Sequence, residues 1–533
     1  MSSAELTERL RVASTSAPAS GPASGTGPAP GTCPAPGTGP AQTDDLTSLS
    51  ATEALAAFRD GSLVPSELLA ATIARIHAVN GDRSTGINAF TELLFEDAMT
   101  SAVAADHAYA NARRDGTRTP ALLGIPVATK EKHGLAGRSL TQGLAACKGE
   151  IAATNHPVVE RVLAAGGIIH ARTTSPEFSC ATVTHSPLWG ITRNPWNPAA
   201  TPGGSSGGAG AALAAGMATL ATASDIAGST RIPAGFTGTV GYKAPYGRVP
   251  GLPPLAADWY RGDGPMGRTV ADTALLAGVM SGRHPVDHGS WGAHGIRPDH
   301  GQPTGPDAVR GLRIGLDVTL GDYPVAASVR ANTLRVAQLL EAAGAEIVPV
   351  SLPWTTERIT RTTFAHFGHI LGPAMSEITA GTEDQLAAYT LQFIADAASV
   401  AREVSLPESL AMDASLQRDL ALEMSGLDAL LTPTQAVEML DAEGNYLDGV
   451  TAPNSGGDGS SSDTRRLGHY WEAHMTSPFN VANRCPVLSV PSGMSSVGVP
   501  TGVQVVGHPF EEGMVFRIGS AIEALVEMPA LRL

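Results

Sequence analysis

Two segments rich in glycine and serine constrain the fold of this chain more than any other feature. They are GGSSGG at residues 203–208 and DIAGS at residues 225–229, with an alanine-rich stretch between them. Glycine adopts backbone conformations that are closed to other residues, so glycines clustered around serines indicate sharp turns that hold a hydroxyl in a defined place. The pattern predicts a helix over about 206–215, a strand near 217–223 and a second helix after Ser229.

Strand and helix patterns alternate along the rest of the chain. Helical apolar spacing over 50–80, broken at Gly61, predicts two helices joined by a short turn. Apolar runs predict strands within 122–133, 166–179, 311–318, 345–353, 487–493 and 500–507, and 327–343 reads as a helix. This alternation predicts an α/β fold: a single large α/β/α domain in which helices flank a mixed, twisted β-sheet.

Composition sets the expected domain boundaries. Residues 13–43 are almost entirely Ala, Pro, Gly, Ser and Thr, which bury too little apolar surface to offset the entropy of ordering. We therefore expect a disordered arm over 1–45 and one folded domain over 46–533. The stretch NSGGDGSSSD at 454–463 predicts a mobile surface loop.

Charge and composition also exclude several kinds of partner. The chain of 533 residues has 35 basic and 50 acidic side chains, a formal net charge of −15, which disfavours nucleic acid. No apolar run reaches the ~18 residues of a membrane span, and the N-terminus does not resemble a secretory signal. Four cysteines without a C-x-x-C pair indicate reduced thiols. We expect a cytoplasmic protein without nucleic-acid or membrane partners.

The two serine segments need a chemistry that does not use histidine. A serine hydroxyl requires a base within hydrogen-bond reach, yet no histidine lies between His185 and His284. Neither segment matches G-x-S-x-G or a phosphate-binding loop. Convergent backbone N–H groups at a helix start can instead form an oxyanion hole. The expected nucleophile is Ser229, and the expected hole consists of the amides of Ile226, Ala227, Gly228 and Ser229.

A buried lysine can replace histidine as the base. Burial lowers the pKa of a lysine from ~10.4 towards neutrality, so the uncharged amine can accept a proton. Lys130, in the apolar run GIPVATK, has suitable surroundings. Lys132 is the competing candidate, but it follows Glu131 into a predicted polar turn.

Several longer motifs then show a family resemblance. They are GIPVATKE, RNPWNPAATPGGSSGG, ASDIAGSTRIPAGFTGTVGYKAPYGRVP, GPMGRTVAD, SPFNVANRCPVLSVPSG and PTGVQVVG. Together they resemble the amidase signature family, with core motifs over about 120–280, and they extend over most of 46–533. The resemblance implies a Ser–cis-Ser–Lys triad with Lys130 as base, Ser205 as cis-serine and Ser229 as nucleophile, in which Ser205 relays the proton.

The resemblance also implies supporting and substrate-contacting residues. Ser206 is expected to fix Lys130, Asp225 and Arg231 to pair beside the nucleophile, and the backbone of Ser179, Cys180 and Ala181 to lie along the bound amide. Substrate specificity is expected in the variable segments 281–305, 354–399 and 435–470. The family usually has Gly-Gly-Ser where this chain has Ala227-Gly228-Ser229. Ala227 must therefore adopt an ordinary backbone conformation, or the hole is distorted.

No metal or organic cofactor is expected. His366 and His369 form an H-x-x-H pair on a predicted helix, but no third ligand is suggested nearby, which favours packing or pocket lining. Cys180 is expected to be a small buried side chain rather than a nucleophile, because no group that would stabilise its thiolate is apparent.

The sequence thus predicts an amidohydrolase that cleaves the C–N bond of a small-molecule amide through an acyl-enzyme on Ser229, releasing an acid and ammonia or an amine. Three alternatives stay open. They are an amidotransferase A subunit that passes ammonia to a partner acting on charged tRNA, an amide-forming acyltransferase, and a non-catalytic binding protein. Since members of the family are often dimers, a homodimer is one expectation.

Overall fold

A mixed sheet of eleven strands forms the centre of the computed structural model, which describes residues 43–292, 303–453, 464–531 and 533. The strands of the chain are β1 (Phe90–Leu93), β2 (Pro126–Lys130), β3 (Ile168–Thr173), β4 (His185–Ser186), β5 (Gly190–Ile191), β6 (Leu220–Asp225), β7 (Val240–Lys243), β8 (Gly262–Gly267), β9 (Arg313–Leu316), β10 (Glu346–Pro349), β11 (Ala429–Pro433), β12 (Val450–Pro453), β13 (Thr464–Leu467), β14 (Val487–Met494) and β15 (Pro500–Gly507).

The central sheet has the order β1-β3-β2-β6-β8-β7-β14-β15-β11-β9-β10. Strands β3, β2 and β6 are parallel to one another, as are β11, β9 and β10 at the other end. The pairings from β6 to β11 are antiparallel, and so is the pairing of the edge strand β1 with β3. The pairs β4–β5 and β12–β13 form two small separate sheets.

Fifteen α-helices are present in the part of the chain that the structure describes. They are α1 (Thr43–Ser48), α2 (Ala51–Asp60), α3 (Pro65–Val79), α4 (Phe95–Asp115), α5 (Pro157–Ala164), α6 (Gly207–Ala214), α7 (Arg231–Thr237), α8 (Val270–Met280), α9 (Ala327–Ala342), α10 (Thr356–His369), α11 (Leu371–Ile378), α12 (Ala388–Glu403), α13 (Leu406–Glu423), α14 (Pro478–Val481) and α15 (Glu512–Leu525). None of them is long and apolar enough to span a bilayer.

The sheet is buried on both faces because successive strand residues point to opposite sides. In β2, Val127 packs in the core formed with α2, α5, α8, α9 and α15, whereas Ala128 packs in the core formed with α3 and α6. A third apolar core joins α10–α13 to the loops that follow β3 and β13. The predicted fold class, a helix-flanked mixed sheet, is confirmed.

Most predicted elements are present with shifted ends. The helical pattern over 50–80 is indeed two helices, α2 and α3, and Gly61 ends the first in the left-handed conformation. The strand expected near 217–223 lies at Leu220–Asp225. Residues 1–42 of the predicted arm and the predicted loop 454–463 lie outside the described residues, and helix α1 begins at Thr43.

The topology brings three loops together at one edge of the sheet. Strands β2 and β6 are parallel neighbours, so Lys130 and Asp225 end their strands at the same edge. Strand β8 runs antiparallel to β6 and begins there, with Gly262 opposite Asp225. Residues 130–133, 225–230 and 260–263 therefore meet at this edge.

Candidate active site

Lys130 is fully buried at the end of β2 and points at three serine hydroxyls. Its Nζ lies 2.7 Å from Ser205 Oγ, 2.9 Å from Ser206 Oγ and 3.1 Å from Ser224 Oγ. A neutral amine has two N–H donors and one lone pair, so three hydroxyls can satisfy it completely, and one of them can donate to nitrogen. No carboxylate lies within salt-bridge distance of Nζ among the described residues.

Burial holds the pKa of Lys130 well below its usual value. The positive charge of Lys132 lowers this pKa further, whereas the carboxylates of Asp263 and Asp225 raise it. Removing an ammonium from water without an ion-pair partner favours the uncharged form, which can accept a proton. Lys132, the competing candidate for the base, instead has its Nζ 3.7 Å from Asp263 Oδ1.

The glycines around Ser205 allow the chain to pass against a neighbouring loop. The Gly204–Ser205 peptide bond is cis, and Gly203 has φ +81°. A Cβ on Gly204 would lie 2.5 Å from the Val183 carbonyl oxygen, and one on Gly207 would lie 2.3 Å from Thr184 Oγ1. Side chains at these positions would displace Ser205 from Lys130.

Ser229 lies beside this pair at the start of the segment that leads into α7. The residue is 6% exposed, and its carbonyl oxygen accepts a hydrogen bond from the Ser206 amide at 3.2 Å. No hydrogen bond joins Ser229 Oγ to Ser205 Oγ in the described structure. The structure thus assembles the contact between Lys130 and Ser205, and Ser229 approaches this group through its backbone contact with Ser206.

Three of the four predicted oxyanion-hole amides are free. The N–H groups of Ile226, Ala227 and Ser229 have no acceptor among the described residues. The Gly228 amide, however, donates to Asp225 Oδ1 at 2.6 Å. Its inclusion in the hole stays a prediction, and in this structure a carboxylate of the same loop accepts from this donor.

Ala227 does not distort the loop. It is absent from the non-glycine residues with positive φ, and its carbonyl oxygen accepts from Thr476 Oγ1 at 2.6 Å. Gly228 alone takes the unusual conformation, with φ +124°. Alanine is tolerated at the first position of the Gly-Gly-Ser pattern, because only the second position, Gly228, requires the left-handed region.

Gly228→Ala is expected to lower activity at least ~100-fold, since an added Cβ would lie 2.0 Å from Thr476 Oγ1 and displace the loop 225–231, which carries the predicted nucleophile and is called the nucleophile loop below. Steady-state amide hydrolysis and the melting temperature would measure this. Gly116→Ala is the matched control, because Gly116 also has positive φ but has open space around its Cβ. It should cost only about 1–2 kcal/mol of stability. Full activity in Gly228→Ala would contradict a tight loop.

Asp225 and Arg231 form a buried ion pair beneath the nucleophile loop. The guanidinium donates from Nε to Oδ2 at 2.9 Å and from Nη2 to Oδ1 at 3.0 Å. It also donates to Gln504, Asn480 and the Thr476 carbonyl. Such a pair holds both ends of the loop 225–231 on strand β15 and helix α14.

The predicted substrate-contacting residues lie on a strained turn after β3. Phe178 and Ser179 have φ of +52° and +59°, and the following residues pass over Gly204. Cys180 is buried with Sγ 3.8 Å from Thr390 Oγ1, and burial raises the pKa of its thiol to about 12. Cys180 is thus a packed side chain, as expected, while a role for 179–181 along the substrate stays a prediction.

Sequence reasoning missed partners that are distant in the chain. Ser224 contacts Lys130, and Thr476 and Asn480 hold the nucleophile loop. The position of Ser224, next to Asp225 in a small-residue strand, was the one available signal. The contacts from Thr476 and Asn480 depend on topology that no local pattern reveals.

Two groups of histidines have a spacing or a geometry that could suit a metal ion. His366 Nε2 bonds Asp258 Oδ1 and His369 Nε2 bonds the Val404 carbonyl, so this H-x-x-H pair does not converge. His133, His156 and Asp263 do converge, with ligand atoms within 4.8 Å of one another. The Val158 amide donates to His156 Nδ1, however, so in the neutral ring Nε2 carries the proton and faces Asp263. This group fits a hydrogen-bonded cluster.

The comparisons with known proteins concern the family to which the chain belongs. A family model described as Amidase matches residues 67–516. The A subunit of glutamyl-tRNA(Gln) amidotransferase from Synechococcus sp. (strain WH7803) is 32% identical over 491 residues, covering 89% of this chain and 96% of the relative. The protein of the same name from Chloroflexus aurantiacus (strain ATCC 29366 / DSM 635 / J-10-fl) is 31% identical over 497 residues, covering 91% and 98%.

Solved structures show the same fold. A bacterial aryl acylamidase of the amidase signature family has a TM-score of 0.77 at 24% identity, covering 89% of this chain and 96% of the other. 6-Aminohexanoate cyclic dimer hydrolase complexed with substrate has a TM-score of 0.72 at 26% identity, covering 90% and 98%. The extent of the family match and of the curated relatives shows that this chain belongs to the amidase signature family.

Proposed function

We propose that this protein hydrolyses a carboxamide C–N bond through an acyl-enzyme on Ser229. The observation that carries the proposal is the buried amine of Lys130, which has no acidic partner in the described structure and lies 2.7 Å from Ser205 Oγ. A buried, uncharged lysine joined to a serine hydroxyl is an activated base, and Ser229 is the adjacent hydroxyl that reaches solvent.

In the first half-reaction, Ser229 Oγ attacks the amide carbonyl carbon. Its proton passes to Ser205 Oγ, and the Ser205 proton passes to Lys130 Nζ. The oxyanion accepts hydrogen bonds from the free amides of Ile226, Ala227 and Ser229. When the C–N bond breaks, the leaving nitrogen takes the proton back from Lys130 through Ser205.

In the second half-reaction, water attacks the acyl-enzyme and gives its proton to the same relay. Collapse of the second oxyanion returns the proton to Ser229 Oγ and releases the acid. All atoms and charges balance without a redox partner. Asp225 and Arg231 act as positioning residues, because their ion pair fixes the loop that presents the amides.

An ammonia-supplying component of an amidotransferase is the second candidate. It uses the same chemistry on Ser229, and it is favoured over a small-molecule hydrolase by the curated relatives, which are amidotransferase A subunits matched along nearly their full length. Purification of the protein from its natural host separates the two candidates. A stoichiometric partner and tRNA-dependent release of ammonia from glutamine would support the amidotransferase, and full activity of the purified single chain on simple amides would support the hydrolase.

Labelling with a fluorophosphonate tests the shared chemistry. The reagent should modify Ser229, as mapped by peptide mass spectrometry, and ammonia release from a panel of aliphatic, aryl, peptide and cyclic amides should fall in parallel. Absence of labelling at Ser229, together with no amide turnover, would favour a non-catalytic binding protein. Products that incorporate an added amine in place of water would identify an acyltransferase.

A further inference from the structure

A cavity of about 200 Å³ is lined by Lys132, just after the end of β2, and by Gly262 and Asp263 at the start of β8. Its polar wall includes Lys132, His156, Arg261 and Asp263. The remaining wall is mostly apolar and comes from Leu140 and residues 249–256. A concave space with convergent charged groups and an apolar wall is typical of a small-molecule site.

Arg261 is the cationic group of this wall that makes no close ion pair in the described structure, although its charge interacts with the carboxylate of Asp258 and lowers the pKa of that group. No carboxylate oxygen lies within 4.0 Å of its guanidinium in the part of the chain that the structure describes, and its buried Nε has no hydrogen-bond acceptor. A buried guanidinium donor without an acceptor is costly, and a bound anion would satisfy it.

The two carboxylates of the cavity are already satisfied by other groups. Asp263 accepts from His133 Nε2 at 2.9 Å and faces His156 Nε2 at 3.5 Å and Lys132 Nζ at 3.7 Å. Asp287 accepts from the Gly251 and Gly289 amides, both at 2.9 Å. Neither carboxylate is therefore available to neutralise Arg261.

The cavity adjoins the catalytic residues through three segments. Lys132 follows Lys130 by two residues, and Gly262, beside Arg261, pairs with Asp225 across β6 and β8. On the opposite wall, the Gln142 carbonyl oxygen accepts from the Phe178 amide at 2.9 Å, next to Ser179. A ligand that fills the cavity would thus lie next to both the nucleophile loop and the turn at 178–179.

We propose that this cavity holds a carboxylate of the substrate, bound by Arg261 and Lys132, and that the preferred substrate is a carboxamide with a carboxylate beyond a short apolar linker. The planar guanidinium can donate two hydrogen bonds to one carboxylate, and the apolar wall can contact the linker. This substrate class rests on the proposed amide hydrolysis at Ser229.

Matched pairs of amides test the proposal. Succinamate and glutaramate are compared with butanamide and pentanamide, which have the same chain lengths without the carboxylate. The wild type should show a higher kcat/KM for the carboxylated amides. Arg261→Gln should lower the ratio of kcat/KM for carboxylated over neutral amides about 10- to 100-fold, the size expected for loss of a charge-assisted hydrogen bond. The ratio is the readout because the positive charge of Arg261 also lowers the pKa of Lys130, so its loss can change the turnover of both kinds of amide. Arg261→Lys should recover part of the loss.

Arg484→Gln is the control, because Arg484 lines other cavities and contacts the Phe510 ring. It should leave the preference unchanged. Equal use of charged and neutral amides by the wild type, or an unchanged preference in Arg261→Gln, would overturn the carboxylate site while leaving amide hydrolysis intact.

Binding to Ser229→Ala separates this proposal from the proposed function. Calorimetry with glutaramate measures affinity without turnover. Binding that Arg261→Gln weakens about 10- to 100-fold in the Ser229→Ala background supports the carboxylate site, even if the wild type hydrolyses no amide. No detectable binding at millimolar glutaramate, or equal binding with and without Arg261, would reject it.

Discussion

Ser229→Ala should reduce amide hydrolysis by a factor on the order of 10⁴ or more, because removal of a nucleophile from a unit that acts together eliminates the covalent route. The measurement is kcat/KM on whichever amide the wild type hydrolyses best, together with loss of fluorophosphonate labelling. Ser229 is only slightly exposed, and within the described residues no hydrogen bond to its side chain is found, so the variant should keep the wild-type melting temperature within a few degrees.

Ser224→Ala provides the matched control for this result. Ser224 Oγ also belongs to the serine cluster and lies 3.1 Å from Lys130 Nζ, but it is not the proposed nucleophile. Its removal leaves Ser205 and Ser206 in contact with the amine, so activity should fall only about tenfold. Retention of wild-type activity in Ser229→Ala would eliminate the acyl-enzyme on this residue.

The local parts of this site could be predicted from sequence motifs. Each motif describes residues that are close in the chain, such as the glycines that let Ser205 approach Lys130. Burial of Lys130 also follows from a local signal, since its strand is apolar. The alternation of strand and helix patterns was sufficient for the fold class.

Other features could not be predicted because they depend on partners far apart in the chain. Strand β8 has the sequence GDGPMG, which local propensity reads as a turn. A Cβ at Gly264 would lie 2.3 Å from the Tyr242 carbonyl oxygen. Because glycine has no Cβ, β8 can pair closely with its neighbouring strands. The occupation of the Gly228 amide by Asp225 is likewise a matter of three-dimensional geometry.

The buried group around Asp263 shows the same limit. His133, His156 and Asp263 are separated by more than a hundred residues at their extremes, and nothing in the sequence pairs them. Their contact places a compensated charge beside Lys130, and Arg261 Nε has no hydrogen-bond acceptor among the described residues. The catalytic residues could therefore be predicted from local motifs, whereas the charges that surround them depend on contacts between residues far apart in the chain.

Lys130→Met should abolish amide hydrolysis near neutral pH, with a loss of about 10³-fold or more, because no other base contacts Ser205 in the described structure. In the proposed mechanism, the uncharged amine of Lys130 is the active form. Since the pKa of Lys130 is held well below 10.5, kcat/KM should rise as pH increases through that lowered pKa and then level off. The variant should lose this dependence.

The folding stabilities of the wild type and of Lys130→Met should depend differently on pH. Between the lowered pKa of the folded state and the pKa of 10.5 in the unfolded chain, the unfolded wild type binds the extra proton, so its folding stability rises with pH in this window. Replacement of Lys130 by methionine removes the titrating group and therefore this increase of folding stability with pH. The melting temperature of Lys130→Met, relative to the wild type, should therefore be highest near neutral pH and decline as the pH approaches the pKa of the unfolded lysine.

Lys243→Met tests whether the pH dependence of kcat/KM comes from Lys130 in particular or from any buried lysine. Lys243 is also a fully buried lysine without a carboxylate partner in the described structure, its pKa is lowered to about 7 by burial, and its Nζ bonds Asn483 Oδ1 and the Cys485 carbonyl. Its replacement should change the pH dependence of stability and preserve the pH dependence of kcat/KM. If the pH dependence of kcat/KM instead disappears in Lys243→Met and persists in Lys130→Met, the base lies elsewhere and the proton relay through Ser205 is wrong.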